Sequence, residues 1–373
     1  MSNCQNSFPL LYQQAASLLL YQSVFKNVVA EAFLNLLQVL YQDDREVSCL
    51  QAYGNWFKSL AAKNQSWQDY LIIQILQDDN PFSRQVQHAP VQDLPSSLIA
   101  AVQRDLQVLQ AIYNCSSQQI SEWVREASGL PVTPIAWELE TAQKTFLHRQ
   151  ENWAEALEDL AIYYRQNGIG IFAQYRAFRW QQGELMGIAH PDPVQLTEIA
   201  AYDSQKEALL KNTEFLLAGY PALHVLLYGS RGSGKSSLVK GLLQKYSDRG
   251  LRLIEVNKSE LADLPAIVEQ LRDAPQKFII FVDDLSFEED DDAFKSLKVV
   301  LEGSVTARPQ NVVVYATSNR RHLIREFFGD RPRPRDGDEV HAWDTVQEKL
   351  SFSDRFGLTL TFDPAHQDPS LTT

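Results

Sequence analysis

The chain has 373 residues, with 34 basic and 47 acidic side chains and a net charge of −13. Its composition, 45% hydrophobic and 22% charged, is that of a globular protein and excludes collagen-like, low-complexity and wholly disordered classes. The net negative charge disfavours non-specific electrostatic binding of nucleic acid. Any phosphate-binding site must therefore be formed by a local group of residues.

The cysteines and the apolar segments indicate the cellular compartment in which the protein is expected. Cys4, Cys49 and Cys115 show no C-x-x-C spacing, which predicts neither a disulfide framework nor a zinc site. No apolar run approaches the roughly 20 residues of a bilayer-spanning helix. No cationic stretch precedes an apolar one at the amino terminus. We therefore expect a cytoplasmic protein without a membrane segment.

The first part of the chain, up to about residue 190, predicts an all-helical domain, because apolar residues recur three and four positions apart. The predicted helices span residues 10–41, 47–62, 67–76, 97–113 and 153–166. Several Trp and Tyr residues lie among these helices. Such residues usually fill a core, and the alternative is a surface on which bases or a ligand stack. No motif in this domain indicates a function.

The second part of the chain has a different pattern, and the sequence His-Pro-Asp-Pro at residues 190–193 marks the predicted boundary. Short β-branched runs then alternate with helices, which is typical of a three-layer α/β domain with a parallel sheet. The predicted strands cover residues 224–228, 251–256, 278–282, 312–315 and 358–362, and the crossover helices 236–246, 264–272 and 293–301. We predict a helical domain at 1–190, an α/β core at 191–362 and an irregular tail at 363–373.

The loop after the first of these strands carries the strongest signal in the chain. It runs Gly229, Ser230, Arg231, Gly232, Ser233, Gly234, Lys235, Ser236, Ser237 and matches G-x-x-x-x-G-K-[ST] between a strand and a helix. The glycines allow backbone N–H groups to converge on phosphate oxygens at a helix N-terminus. We expect Lys235 to reach the β- and γ-phosphates and the Ser236 hydroxyl to ligate Mg²⁺. The alternative is a glycine-rich turn that matches by accident.

Two carboxylates follow the strand predicted at 278–282, at the edge where open α/β sheets bind ligands. We expect Asp283 to hold Mg²⁺, since that cation keeps several waters and needs few protein carboxylates. We expect Asp284 to activate the attacking water, with Glu288 as a rival for that role. The alternative is a pair of capping residues before the next helix.

Polar side chains also lie after the strand predicted at 312–315 and before the strand predicted at 358–362. Asn319 is our first candidate to orient the attacking water and Ser318 our second, if their strand lies beside the phosphate loop; the alternative is an ordinary polar turn. Arg355 directly precedes the last strand. Its guanidinium can bridge a γ-phosphate, which belongs to a neighbouring subunit if the side chain points outward. The alternative is an ion pair with Asp354 or a nearby acid.

In this order, the phosphate loop, the Asp-Asp strand, the Thr-Ser-Asn strand and Ser-Asp-Arg-Phe-Gly resemble an AAA+ ATPase core. The stretches GLRLIEVNKSELADLP, FVDDLSFEEDD, VYATSNRRHLI and EKLSFSDRFGL are similar to an uncharacterised bacterial family of predicted AAA+ ATPases with a domain of unknown function. The likeness covers residues 168–362. It implies a five-stranded parallel sheet in the order five-one-four-three-two, ATP with Mg²⁺, a first sensor at Asn319 and a trans-acting arginine finger at Arg355. It also implies that Tyr202 and Gln205 lie near the adenine.

The chain departs from the AAA+ pattern in two places. After Phe362 there is no helical periodicity, so we predict that the usual C-terminal helical lid is absent. Asp284 is one methylene shorter than the glutamate that most such ATPases carry. Both departures predict weaker turnover.

The expected function is an ATP hydrolase that couples its nucleotide state to the remodelling or assembly of an unknown protein partner, as a homo-oligomer through Arg355. One alternative is a slow nucleotide switch or scaffold, and another is a small-molecule kinase. A third is a helicase-loader-like ATPase on DNA, which rests on analogy and on an arginine-rich stretch at 320–335. That stretch does not by itself predict a nucleic-acid groove.

Overall fold

The computed structural model describes residues 8–42, 46–139, 144–199, 201–287, 293–302, 308–319, 323 and 351–363. The chain divides into two units, residues 1–173 and 174–373. The boundary expected at residues 190–193 falls later than this division, because residues between them pair with the sheet of the second unit. The predicted absence of a lid concerns residues 364–373, which lie outside the described part of the chain.

The first unit is helical, as its apolar spacing predicts. Its helices are α1 (Phe8–Ala16), α2 (Val28–Tyr41), α3 (Glu46–Lys63), α4 (Trp67–Leu76), α5 (Pro81–Gln85), α6 (Ser96–Tyr113), α7 (Ser117–Ser128) and α8 (Leu157–Asn167), with the short α9 (Gly170–Gln174) at the division between the units. Phe33, Trp56 and Trp67 are fully buried in its core, and the ring centroids of Phe33 and Trp67 are 4.2 Å apart. These aromatic side chains therefore fill a core and form no stacking surface.

The single helix predicted at 10–41 is two helices, and a distant carboxylate is the reason. Asp105 on α6 accepts hydrogen bonds from the backbone N–H groups of Leu19, Leu20 and Tyr21, at 3.0, 2.7 and 3.1 Å. These N–H groups therefore do not bond to carbonyls of a continuous helix. The side chain of Asn27 then caps the start of α2.

The second unit is a three-layer α/β structure. Its elements are β1 (Ala177–Gln181), β2 (Glu184–Ile188), α10 (Asp203–Leu217), β3 (Val225–Gly229), α11 (Lys235–Tyr246), β4 (Leu251–Glu255), α12 (Leu264–Leu271), β5 (Lys277–Val282), α13 (Ala293–Glu302), β6 (Val312–Ser318) and β7 (Leu358–Phe362). Apolar side chains of α10 and α11 pack with those of β3 to β7 on one face of the sheet. Ile254, Ile280 and Val314 on these strands are also buried, so both faces are covered.

Among the described residues, the strands form one sheet in the order β2-β1-β4-β5-β6-β3-β7. The five predicted strands are β3 to β7, they are parallel, and their order is the five-one-four-three-two implied by the AAA+ resemblance. The expected strand number was wrong, because β1 joins β4 in parallel and β2 joins β1 antiparallel. The turn between β1 and β2 has two residues with positive φ, Gln182 and Gly183, as tight hairpins require.

Candidate functional site

The loop between β3 and α11 is held against the end of β7. Gly229 has a φ of +147°, and a Cβ atom there would lie 2.0 Å from the carbonyl oxygen of Phe362, so no larger residue fits. The next residue, Ser230, donates its backbone N–H to the same oxygen at 3.1 Å. Gly232 and Gly234 have φ values of +75° and +79°, and Gly234 caps the N-terminus of α11. The loop therefore turns directly into the first turn of the helix.

The ammonium of Lys235 lies against this loop. Its Nζ donates hydrogen bonds to the carbonyl oxygens of Gly229 and Ser230, at 3.0 and 2.7 Å, and the residue is only 6% exposed. Burial lowers the pKa of Lys235, while the carboxylates of Asp283 and Asp284 act to raise it. The positive charge therefore lies in a partly desolvated position, where electrostatic interactions are stronger than in water.

The two predicted carboxylates directly follow β5, opposite the loop, and both are exposed. Asp283 Oδ1 accepts hydrogen bonds from the hydroxyls of Ser236, at 2.6 Å, and Thr317. Asp284 Oδ1 accepts a hydrogen bond from Nδ2 of Asn319 at 2.7 Å. The backbone of Asp284 has a φ of +50°, a left-handed conformation that is uncommon outside glycine.

These groups surround one open cavity of about 370 Å³ at the carboxyl ends of the strands. Its lining consists of Arg231, Gly232, Ser233, Gly234, Lys235, Ser236, Ser237, Asp283, Asp284, Thr317 and Asn319. They meet because β6 lies between β5 and β3 in the sheet. The structure therefore brings together most of the residues that the sequence patterns single out, in the place where parallel sheets bind ligands.

The polar residues at the end of β6 do not all face the cavity. The hydroxyl of Ser318 is buried and donates to the carbonyl oxygen of Leu285 at 2.8 Å, so Ser318 does not line the cavity. Thr317 and Asn319, two positions apart, both line it. Thr317 was missed in the sequence, although the two-residue period of a strand places it on the same side as Asn319.

Tyr202 and Gln205 lie beside the end of β7 and are not in the cavity lining. The Tyr202 hydroxyl donates to the carbonyl oxygen of Asp363, and its ring centroid is 4.9 Å from that of Phe362. Gln205 Nε2 donates to the carbonyl oxygen of Thr361 at 2.8 Å. Because Phe362 contacts Gly229, both residues are close to the phosphate loop, and their role at the adenine stays a prediction.

Arg355 lies outside the cavity lining, and Glu288 lies outside the described residues. Arg355 Nε is 2.9 Å from Oε1 of Glu302, the last residue of α13, and its guanidinium lies 6.0 Å from the ring centroid of Phe352. The ion pair foreseen as the alternative for Arg355 is therefore present, with Glu302 as the acid. Its role toward a neighbouring subunit stays a prediction.

Residues 173–372 match the family described as "Protein of unknown function (DUF815)". This match confirms the resemblance to a family with a domain of unknown function. No curated protein matches the chain.

Solved structures that are similar include a threonine-to-valine mutant of Thermotoga maritima RuvB, with a TM-score of 0.32 and 19% identity over 46% of this chain and 48% of that one. Another, titled the Thermotoga maritima RuvB Holliday junction branch migration motor, has a TM-score of 0.28 and 18% identity over 46% of this chain and 48% of that one. The chain thus spans about half the length of these structures. Within the described residues, no helix has the length and apolar character needed to cross a bilayer.

Proposed function

The chain belongs to the DUF815 family, and we propose that it is an AAA+ type ATPase that binds ATP with Mg²⁺ and hydrolyses it. The observation that carries the proposal is the cavity in which the ammonium of Lys235, the hydroxyl of Ser236 and the carboxylate of Asp283 meet. P-loop nucleotide hydrolases use these three groups, in this strand–loop–helix setting, to hold the phosphates and the metal. The order of the parallel strands supports the same assignment.

Lys235 and the loop would bind the phosphates. In the structure the Lys235 ammonium donates hydrogen bonds to two neutral carbonyl oxygens of its own loop. Charged phosphate oxygens make stronger, charge-assisted hydrogen bonds and would replace these partners. The N-terminus of α11 adds unpaired backbone N–H groups and the positive end of the helix dipole.

The donor set fits Mg²⁺. The Ser236 hydroxyl and the Asp283 carboxylate place two hard oxygen atoms 2.6 Å apart at the cavity. That arrangement suits a cation that keeps several waters and takes further ligands from its substrate. Bound Mg²⁺ would neutralise negative charge on the phosphate oxygens.

Asp284 is our candidate general base for hydrolysis. Its carboxylate is exposed at the cavity, and Asn319 holds its Oδ1 at 2.7 Å. A carboxylate can accept about four hydrogen bonds, so Asp284 can take a proton from water while it stays bonded to Asn319. Asn319 would then orient both the base and the attacking water. Glu288 stays the rival for this role.

A slow nucleotide switch is the second candidate function, and the short side chain of Asp284 favours it. An aspartate is one methylene shorter than a glutamate, so its carboxylate reaches less far into the cavity. Steady-state phosphate release separates the two functions, because appreciable turnover excludes a pure switch. Remodelling of a protein partner, a homo-oligomer through Arg355 and a DNA-associated role stay predictions from resemblance and analogy.

Isothermal calorimetry with MgATP tests the proposal on the full chain. We expect wild type to bind, and Lys235→Ala to bind at least about 100-fold more weakly, since it loses the charge that faces the phosphates. Lys240→Ala is the matched control, because Lys240 lies on the same helix but pairs with Asp192 at 3.5 Å, outside the cavity. We expect Lys240→Ala to bind like wild type.

The outcome that would contradict the proposal is the absence of heat when folded wild-type protein meets millimolar MgATP. Equal affinity of Lys235→Ala and wild type would also contradict it, since the nucleotide would then bind elsewhere. Circular dichroism of each variant shows whether the protein is folded.

A further inference from the structure

The hydroxyl of Thr317 joins the two carboxylate-bearing residues of the cavity. Thr317 is the penultimate residue of β6 and is 2% exposed. Its Oγ1 accepts a hydrogen bond from the backbone N–H of Asp284 at 2.9 Å. A backbone N–H can only donate, so the single hydroxyl proton of Thr317 is directed to its other partner, Oδ1 of Asp283. The donor and the acceptor are therefore known in both hydrogen bonds of the Thr317 hydroxyl.

The bond to Asp283 orients the carboxylate that faces Ser236. Oδ1 of Asp283 accepts from the hydroxyls of Ser236 and Thr317, and from the backbone N–H of Asp284 at 3.2 Å. A metal ion that takes the Ser236 oxygen as a ligand would bind a lone pair of that oxygen, so Ser236 would keep its hydroxyl proton for Asp283. Thr317 lies on another strand and would keep its own hydrogen bond, so it holds the carboxylate in place.

The bond from Asp284 stabilises an unusual backbone conformation. Asp284 is left-handed, with a φ of +50°, and such strain persists only where surrounding contacts hold it. Thr317 supplies two of these contacts, because its carbonyl oxygen also accepts from the backbone N–H of Leu285 at 2.7 Å. The turn that follows β5 is thus attached to β6 at Thr317, and also through Ser318 and Asn319.

We propose that Thr317 is a positioning residue for metal binding: its hydroxyl fixes the carboxylate of Asp283 and the left-handed turn at Asp284. The inference rests on the proposed function of the cavity. Thr317 acts through these two residues and needs no contact with the nucleotide. Loss of the hydroxyl should therefore weaken the response to Mg²⁺ much more than the binding of metal-free ATP.

The test compares Thr317→Val, which keeps the branched shape and removes the hydroxyl, with Thr317→Ser, which keeps the hydroxyl. ATP affinity is measured by calorimetry in EDTA and at increasing Mg²⁺. For Thr317→Val we expect the Mg²⁺ concentration at half-maximal effect to rise about tenfold or more, with affinity in EDTA nearly unchanged. We expect Thr317→Ser to restore the wild-type Mg²⁺ dependence.

Thr213→Val is the matched control. Thr213 on α10 is also fully buried, and its hydroxyl lies 3.0 Å from the hydroxyl of Tyr315 on β6, away from the cavity. We expect its Mg²⁺ dependence to equal that of wild type. If Thr317→Val does not fold, Thr317→Ala, which lacks the hydroxyl and adds no methyl group beside Asp283, takes its place.

The outcomes separate this inference from the proposed function. If wild type binds MgATP and Thr317→Val keeps the wild-type Mg²⁺ dependence, the inference is overturned and the proposed function stands. Equal impairment of Thr317→Val and Thr317→Ser also overturns it, since Thr317→Ser keeps the hydroxyl to which the effect is assigned. If wild type and Thr213→Val do not bind MgATP at all, the proposed function fails and this inference fails with it.

Discussion

Asp105 in the helical unit and Asp283 in the sheet unit each accept hydrogen bonds from three donor groups among the described residues, but in opposite settings. Asp105 is fully buried and bonds to backbone N–H groups of one segment. Asp283 is exposed at a cavity and bonds to two side-chain hydroxyls and one neighbouring N–H. The Ser236 hydroxyl has lone pairs that can bind a cation, whereas a backbone N–H can only donate. The comparison separates a carboxylate that maintains the fold from one that can bind a ligand.

Asp105→Ala should have the largest effect on stability. The substitution leaves the backbone N–H groups of Leu19, Leu20 and Tyr21 without their acceptor inside the protein. We expect the free energy of unfolding to fall by about 3–5 kcal/mol, because buried unsatisfied donors each cost about 1–3 kcal/mol before relaxation. Urea unfolding followed by tryptophan fluorescence measures this change, and Asp105→Asn, which keeps one acceptor oxygen, should lose less.

MgATP affinity of Asp105→Ala, measured on protein that remains folded, should match that of wild type. A loss of nucleotide affinity as large as the loss of stability would contradict the distinction between the two carboxylates.

His224 extends the comparison, because the sheet unit also contains a buried polar side chain that serves the backbone. Its Nδ1 accepts the N–H of Val314 at 2.9 Å, and burial, reinforced by the nearby Arg308 charge, lowers the pKa of His224 from 6.5 to about 3. In the unfolded chain the His224 imidazole takes up a proton as the pH falls through about 6.5. In the folded protein the same imidazole stays neutral at that pH. Stability contributed by this residue is therefore lost below pH 6.5, by about 2 kcal/mol at pH 5.

The matched variant is His224→Asn, whose Oδ1 can accept the Val314 N–H without titrating. Urea unfolding at pH 7.5 and pH 5 should show a smaller pH dependence for His224→Asn than for wild type. Identical pH dependence in the two proteins would show that His224 does not resist protonation in the fold.

Asp283→Asn should have the smallest effect on stability, within about 0.5 kcal/mol, because the side chain is exposed and the amide keeps an acceptor for the hydroxyls. The Mg²⁺ dependence of ATP binding should nevertheless weaken by about tenfold or more, since a neutral amide is a poorer ligand for a hard cation. Calorimetry at increasing Mg²⁺ measures this change. Asp192→Asn, at an exposed acid outside the cavity, serves as the control.

A large loss of stability in Asp283→Asn, comparable to that of Asp105→Ala, would contradict our comparison. It would mean that Asp283 maintains the fold in the same way as Asp105 does.

The parts of the site that were predictable from sequence are those with a local signal. The glycine spacing, Lys235 and Ser236 form a motif within one strand–loop–helix unit, and Asp283 and Asp284 directly follow an apolar strand. Their meeting at one cavity follows from a general property of parallel sheets, whose strands end at the same edge. The resemblance to AAA+ proteins supplied the strand order that makes β6 a neighbour of the loop.

The parts that were not predictable depend on contacts between residues far apart in the chain. The hairpin β1–β2 is short, and its buried and exposed residues alternate only in part, so it carries a weak strand signal. In the sequence Thr317 is an ordinary strand residue, and only the fold places its hydroxyl between Asp283 and Asp284. The partner of Arg355, Glu302, comes from another helix and could not be chosen from sequence spacing.

By itself, the sequence determined the helical and α/β halves, the phosphate-type loop and the carboxylates after β5, because periodicity and turn chemistry act over a few neighbouring residues. Only the tertiary structure decided that Asp105 interrupts a helix, that β1 and β2 extend the sheet, and that Thr317 rather than Ser318 faces the cavity. Hydrogen bonds of this kind are short-ranged in space but join residues that are distant in sequence. Their partners are therefore defined only when the chain has folded.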